Sequence, residues 1–210
     1  MPDRYPIPLG EASTEFTEKN SIFIGTAGHA STVEEAQTFI REISARYADA
    51  NHNAWAYLVG FGPESVYACH NDGEPGGTAG PPALAVLQGS GLGDVVVVVT
   101  RYFGGVKLGT GGLVRAYGKA AREALSALSL GEKVATTRVV VEIDYSFHDS
   151  FMRTLASHEA QVEHTEYGAA VEFHTVLPID QYDAFARAIT EMTSGKAIVE
   201  RDPDITPQPG

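Results

Sequence analysis

The chain has 210 residues, with 27 Asp plus Glu against 15 Lys plus Arg and a formal charge of −12. That balance excludes a protein that coats nucleic acid or anionic membrane through uniform positive charge, and a 43% hydrophobic, 20% charged composition is too apolar for a disordered chain. A single cysteine, Cys69, excludes an intrachain disulfide framework and a thiolate-rich zinc site.

At roughly 100–200 residues per domain, the length allows one large domain or two small ones. The opening stretch MPDRYPIPLGEASTEF has no basic region followed by an apolar one, so no secretory signal is expected. The longest strongly apolar run, Val95 to Val99, is far shorter than the roughly 20 residues that cross a bilayer. A cytoplasmic protein without a membrane partner is expected.

Phe16 to Gly28 reads as two short strands broken near Asn20. Ser31-Thr32-Val33-Glu34 fits a capping box, and Val33, Ala36, Ile40, Ile43 and Tyr47 continue at helical spacing. Ala54 to Gly60 and Ser65 to Cys69 read as strands around the turn signal Gly62-Pro63. His70 to Gly80 is a glycine-rich loop, and Pro81-Pro82 opens a short helix to about Gln88. Val95 to Thr100 has the composition of a strand buried on both faces. Phe103 to Gly112 is a second glycine-rich loop, followed by a helix over Leu113 to Leu128 that Gly131 stops.

Beyond Gly131 the pattern gives a strand at Val139 to Tyr145, a helix at Asp149 to His158 and a hairpin of Val162 to Tyr167 with Ala170 to Val176. A helix opening at Pro178 and a last strand at Lys196 to Glu200 complete a β-α-β-β-α-β order, the split βαβ arrangement of ferredoxin-like domains. An α+β chain of two domains is therefore expected, residues 1–132 and 133–202, joined near Glu132 to Arg138. Residues 203–210 read as a loose tail.

Charge is unevenly spread. Residues 1–94 carry 4 basic and 12 acidic groups and residues 126–210 carry 6 and 14, each a net −8. The stretch 95–125 carries Arg101, Lys107, Arg115, Lys119 and Arg122 against Glu123 alone, a net +4, and 15 of the 22 glycines lie between Gly60 and Gly118. The binding chemistry is expected in this middle segment.

The Walker, GxGxxG, HExxH and GxSxG patterns are all missing, so the sequence points to no cofactor and no metal. The second glycine loop joins a buried strand to a helix, where free amides and closely approaching backbone attract anions. Arg101, Lys107 and Arg115 are candidate phosphate contacts there, with Gly104, Gly105, Gly111 and Gly112 admitting the backbone. The alternative is a tight connection with solvated cations. The first loop supplies Gly76, Gly77 and Thr78 to the same candidate anion site. Its His70, Asp72 and Glu74 could bind a hard metal or divide acid and base roles; the favoured reading is that the carboxylates pair with Arg101 or Lys107 and hold the two loops together. Cys69 and His70 point to opposite faces of a strand, so Cys69 reads as a small buried residue. His52, Trp55 and Tyr57 form a candidate base-stacking platform in which alternation makes at least one aromatic core. His148, His158, His164 and His174 show no metal-ligand spacing and read as surface or core histidines.

The segments HNAWAY (52–57), DGEPGGTAG (72–80) and VVVTRYFGGVKLGTGGLVRAY (97–117) resemble the YigZ/IMPACT family, over roughly residues 15–130. The remainder is similar to the C-terminal domain of its bacterial YigZ-type members. The resemblance implies a first domain with the fold of ribosomal protein S5 domain 2 and a ferredoxin-like second domain similar to C-terminal domains of elongation factor G. It also implies a link to translation, through control of initiation by a starvation-kinase pathway in eukaryotic relatives and nucleic-acid or ribosome binding in bacterial ones. Two departures matter: Ala54 stands where members often carry Cys, and Gly76 to Pro82 replaces a Ser-Gly-Thr-Ala-Gly-Arg-Pro loop, losing a hydroxyl and a cation. The N-terminal partner-binding domain of the eukaryotic relatives has no counterpart in this sequence, so kinase-pathway control is not carried over. The expectation is a translation-associated protein that binds RNA or a ribosomal surface. Its alternatives are an enzyme for a small phosphorylated or anionic substrate in the same cleft and a protein-interaction module whose acidic faces meet a basic partner.

Overall fold

A computed structural model describes residues 3–201 and divides the chain into two compact units, the first ending at Glu132 and the second beginning at Lys133. The expected tail at 203–210 lies outside the described residues.

The first unit contains β1 (Arg4–Pro8), β2 (Ala12–Glu18), β3 (Ser21–His29), α1 (Val33–Arg46), β4 (His52–Val59), β5 (Val66–His70), α2 (Gly80–Gly89), β6 (Val95–Tyr102) and α3 (Thr110–Ser126), and β7 (Leu130–Val134) runs across its end into the second. Five strands form an antiparallel sheet in the order β2-β3-β6-β4-β5. β6 is central because its valines serve two cores at once. Val95, Val97 and Val99 pack with residues of α2 and α3, while Val96 and Val98 pack with Ala36, Ile40 and Ile43 of α1. Gly25 brings α3 close to the sheet: a Cβ there would overlap the Ala120 carbonyl.

The expected helix over α1 is present, with its cap one residue later than the capping box predicted. Tandem hydroxyls and tandem glutamates allow either register, and the helix starts at Val33, so Thr32 is the N-cap. Its Oγ1 accepts the Glu35 amide at 3.1 Å. Glu35 in turn accepts the Ser31 hydroxyl at 2.8 Å and the Ser31 amide at 2.7 Å. These bonds hold the Glu35 carboxyl below the usual carboxylate range, the hydroxyl contributing most. The stabilisation is therefore present above that range and fades as pH falls through the lowered value. Thr32→Ala is expected to cost about 1 kcal/mol, read as a lower denaturant midpoint at unchanged slope.

Two strands were not expected. β1 and β7 form a ribbon of their own, with an Arg4–Glu132 ion pair at 3.3 Å and the Leu9 amide donating to Ser129 O at 2.9 Å. The segment Glu132 to Arg138, read as a linker, therefore holds the end of β7 and the start of β8 (Thr136–Ile143). Short strands paired across more than 120 residues leave no local periodic signal. α3 also begins at Thr110 rather than Leu113, so Gly111 and Gly112 are its first turn instead of loop.

The second unit continues with α4 (His148–Ser157), β9 (Gln161–Tyr167), β10 (Val171–Pro178), α5 (Tyr182–Met192) and β11 (Ile198–Arg201), in the expected βαββαβ order. Its antiparallel sheet runs β11-β8-β10-β9. Val171, Phe173 and Leu177 of β10 face a core with Phe151, Leu155, Phe185 and Ile189 of the helices, and Glu172 and His174 alternate outward. Pro178 ends β10 and a single 3₁₀ turn, Ile179–Gln181, precedes α5, where a helix opening at Pro178 was expected. No helix among the described residues is long and apolar enough to cross a membrane.

Candidate functional site

The antiparallel register sets one row of side chains across the sheet. Phe23 of β3 and His52 of β4 both lie opposite Arg101 of β6. Two residues from Ala54 and Val99, this row faces the side covered by α2 and α3. The first glycine loop is folded onto it by its own polar groups. Asn71 Oδ1 accepts the amides of Ala79 and Gly80 at 3.2 and 3.0 Å, supplying the start of α2 with acceptors that Ala79 lacks. Asp72 Oδ2 accepts the Asn53 amide at 2.6 Å, and the Asp72 carbonyl lies 2.7 Å from His52 Nδ1. A carbonyl only accepts, so Nδ1 carries the proton.

With the loop hooked to β4 on both sides of Asp72, Glu74 turns inward. Its Oε1 lies 2.6 Å from Arg101 Nη1 and accepts the Tyr117 hydroxyl at 2.8 Å. The Glu74 and Arg101 side chains are 3% and 6% exposed, so this is a buried charge pair. Arg101 is further enclosed by Phe23 and Phe103, whose ring centroids lie 5.5 and 5.3 Å from its Cζ, and Nη2 donates to Ser21 Oγ at 3.4 Å. Burial and then the Glu74 carboxylate push the Tyr117 phenol far above its ordinary value, so Tyr117 stays a donor at any working pH. His52 Nε2 stands 3.9 Å from Glu74 Oε1 at the partly open edge of the cluster.

The two glycine loops therefore converge through the Glu74–Arg101 pair, the carboxylate–cation pairing expected of the first loop in preference to metal or catalysis. Arg101 has its guanidinium in the interior and positions the loops. Thr78 is also interior, its hydroxyl donating to Pro75 O at 2.7 Å, while Gly76 and Gly77 are exposed with open space beside them. Gly104 is needed internally, because a Cβ there would overlap the Asn20 carbonyl at the β2–β3 turn. His70, Asp72 and Glu74 do not form one catalytic set. His70 stacks on Trp55 at 5.8 Å and accepts the Asp72 amide, Asp72 is bonded to β4, and Glu74 is buried against Arg101.

Lys107, Gly105, Gly111 and Arg115 are exposed, with Gly112 half-buried beside them. α3 starts from Gly109 at φ +74 with no side chain capping it, so its first amides face outward without a side-chain acceptor. Arg115 reaches back over that turn, since a Cβ at Gly111 would lie 3.6 Å from its Nη1. Arg122 repeats the arrangement over Gly118, at 3.8 Å. Gly111-x₃-Arg115 and Gly118-x₃-Arg122 thus place two guanidinium groups on one face, two turns or about 10 Å apart. Lys107, Arg115 and Arg122 are in no ion pair among the described residues. Both arginines line a groove of about 730 Å³ between α2 and α3, floored by Ala85, Val86, Val114 and Leu125 and lined by no acidic residue. Arg122 belongs to the basic segment but is no candidate contact from sequence alone; its seven-residue spacing from Arg115 is the signal that marks it. Tyr117, which completes the Glu74 cluster, had none.

Trp55, Tyr57 and His70 do stack, with Trp55 and Tyr57 at 5.9 Å and 7°. Trp55 and Tyr57 pack with the α1 core, and Tyr57 is buried, so the row is part of the fold. Cys69 packs toward the α2 and α3 side, and burial raises its thiol above the ordinary value. Its alkylation near neutral pH is expected to be several-fold slower than that of a free peptide thiol, and to reach that rate in denaturant.

The Impact N-terminal domain matches residues 19–125, and a domain of unknown function (DUF1949) matches residues 141–196. The chain is 37% identical over 186 residues to the Bacillus subtilis IMPACT family member YvyE, covering 89% of this chain and 85% of that one. It is 34% identical over 190 residues to the Escherichia coli IMPACT family member YigZ, covering 90% and 93%. A crystal structure titled as that of a hypothetical protein superposes with a TM-score of 0.66 at 30% identity, over 98% of this chain and all of that one.

Proposed function

The chain belongs to the IMPACT family, and within it we propose a cytoplasmic, translation-associated protein that binds the phosphate backbone of RNA or a ribosomal surface. The contacts are Lys107, the uncapped start of α3, Arg115 and Arg122. The observation that carries this reading is the alignment of two guanidinium groups, without ionic partners among the described residues, beside a helix start that no side chain caps, in a chain of net charge −12. Amides at a helix N-terminus favour an anion. Guanidinium groups repeated along the helix favour a ligand with repeated anions over a single one. The acidic remainder of the chain suppresses indiscriminate binding. Gly105 and Gly111 leave the backbone open to a phosphate, while Arg101 serves by holding the loop that carries Lys107.

The test is binding of a structured, fluorescently labelled RNA by anisotropy across a salt series. A slope of log K against log salt that loses about 1 for each cation removed, in Lys107→Ala, Arg115→Ala and Arg122→Ala, supports the reading. Absence of binding at low salt would remove it.

One observation favours the second reading, an enzyme for a small anionic substrate. His52 is partly open, its Nδ1 is fixed by the Asp72 carbonyl, and its Nε2 faces the Glu74 carboxylate. Thermal stabilisation by inorganic phosphate that is lost in His52→Ala, without any RNA binding, would favour it over the first.

A further inference from the structure

The histidines of the second unit have no ligand spacing along the chain, but the β9–β10 hairpin gives two of them one across strands. His164 and Glu166 are two apart on β9, and Glu172 and His174 are two apart on β10, so each pair shares a face. The antiparallel register sets Glu166 opposite Glu172 and His164 opposite His174. Val171 and Phe173 of β10 point into the core, which leaves the four donors as a square on the outward face. The His174 Nε2–Glu172 Oε1 distance is 2.9 Å, the His164 Nε2–Glu166 Oε1 distance is 3.5 Å, and the two imidazole centroids are 5.7 Å apart. Ligand atoms of Glu166, Glu172 and His174 all lie within 4.8 Å of one another.

We propose that this square binds one divalent transition-metal ion of the zinc class through His164, Glu166, Glu172 and His174. Four nitrogen and oxygen donors at about 2.0–2.2 Å from a tetrahedral ion are about 3.4 Å apart; small rotations bring Glu166, Glu172 and His174 to that spacing, and His164, outside that trio, joins by turning its ring toward them. Two further observations point to a cation. His174 Nε2 is shielded from solvent and has no hydrogen-bond partner among the described residues, although Glu172 Oε1 is near. Glu142 of β8 also lies opposite Glu172, giving a row of three adjacent carboxylates, Glu166, Glu172 and Glu142. Like charges directly opposite one another on a sheet repel. Arg138, on the same sheet, makes two bonds to Glu163, at 2.6 and 3.1 Å. Two imidazoles select against magnesium and calcium, which take oxygen ligands, and two carboxylates balance a doubly charged ion. The site uses none of the α3 residues and stands or falls apart from RNA binding.

The test uses the full, untagged chain after chelator treatment and removal of the chelator, titrated with zinc chloride by calorimetry and with cobalt chloride by visible absorption. One equivalent is expected to bind at micromolar concentration or below, with a cobalt spectrum of tetrahedral intensity and a raised melting temperature. His164→Ala and His174→Ala are each expected to weaken binding at least tenfold, as is Glu166→Gln with Glu172→Gln, while His29→Ala in the first unit leaves it unchanged. His164→Gln with His174→Gln keeps side-chain size and polarity, and its circular dichroism shows whether the hairpin is intact. Weak binding of several equivalents, or stoichiometric binding that survives the double histidine change, would overturn the proposal.

Discussion

Arg101→Ala is expected to destabilise the first unit by about 3–5 kcal/mol, the cost of leaving a buried charge without its partner. Glu74 is 3% exposed, and its other close donor is Tyr117. Removing the guanidinium therefore leaves a buried carboxylate with only the Tyr117 hydroxyl bonded to it and His52 Nε2 at 3.9 Å. The truncation also empties the space between Phe23 and Phe103. At about 4 °C per kcal/mol for a domain of this size, the melting temperature falls by about 12–20 °C. Glu74→Gln keeps an acceptor for Tyr117 but strands Arg101, so it should cost nearly as much. Tyr117→Phe removes a single bond to a charged group and should cost about 1.5–3 kcal/mol. Trp55, the one tryptophan of the chain, lies in the first unit and reports its unfolding in denaturant. A loss under about 1 kcal/mol for Arg101→Ala would show that water reaches the pair, and the assignment of Arg101 to holding the loops would fail with it.

Much of this fold is legible because its elements advertise themselves locally. Five consecutive valines can only be buried on both sides, and β6 has a helical core on each face. The apolar spacing of α1 and the βαββαβ order of the second unit are similarly local. What is not legible depends on pairing across distance. β1 and β7 are five residues each, too short for a periodic signal, and become strands by pairing with each other. At the site, the charge count located the basic segment but could not say which cation is solvated. Arg101 and Lys107 differ by six residues, yet one lies in a register row over the core and the other on an exposed loop. That distinction comes from strand register and from the hook that Asp72 makes to β4. Only the register of two strands puts His164 beside His174.

Reversing charge on the α3 face separates the role of its cations from that of the buried pair. With Lys107→Glu, Arg115→Glu and Arg122→Glu combined, RNA affinity at moderate salt is expected to fall by at least about a thousandfold. Each lost charge-assisted contact is worth about 1.4 kcal/mol, or tenfold, and the new repulsion adds to it. The slope of log K against log salt should drop by about 2 to 3. Stability should change little, because all three side chains are exposed and without ionic partners among the described residues. Arg101→Lys is the control. It keeps a cation at the buried site but loses the planar fork and the stacking against Phe23 and Phe103, so it should lower stability while its RNA salt slope stays that of the unmodified protein. If binding instead follows Arg101 and ignores Arg115 and Arg122, the ligand is held at the Glu74 cluster. The small-substrate reading, centred on His52, then replaces the polyanion one.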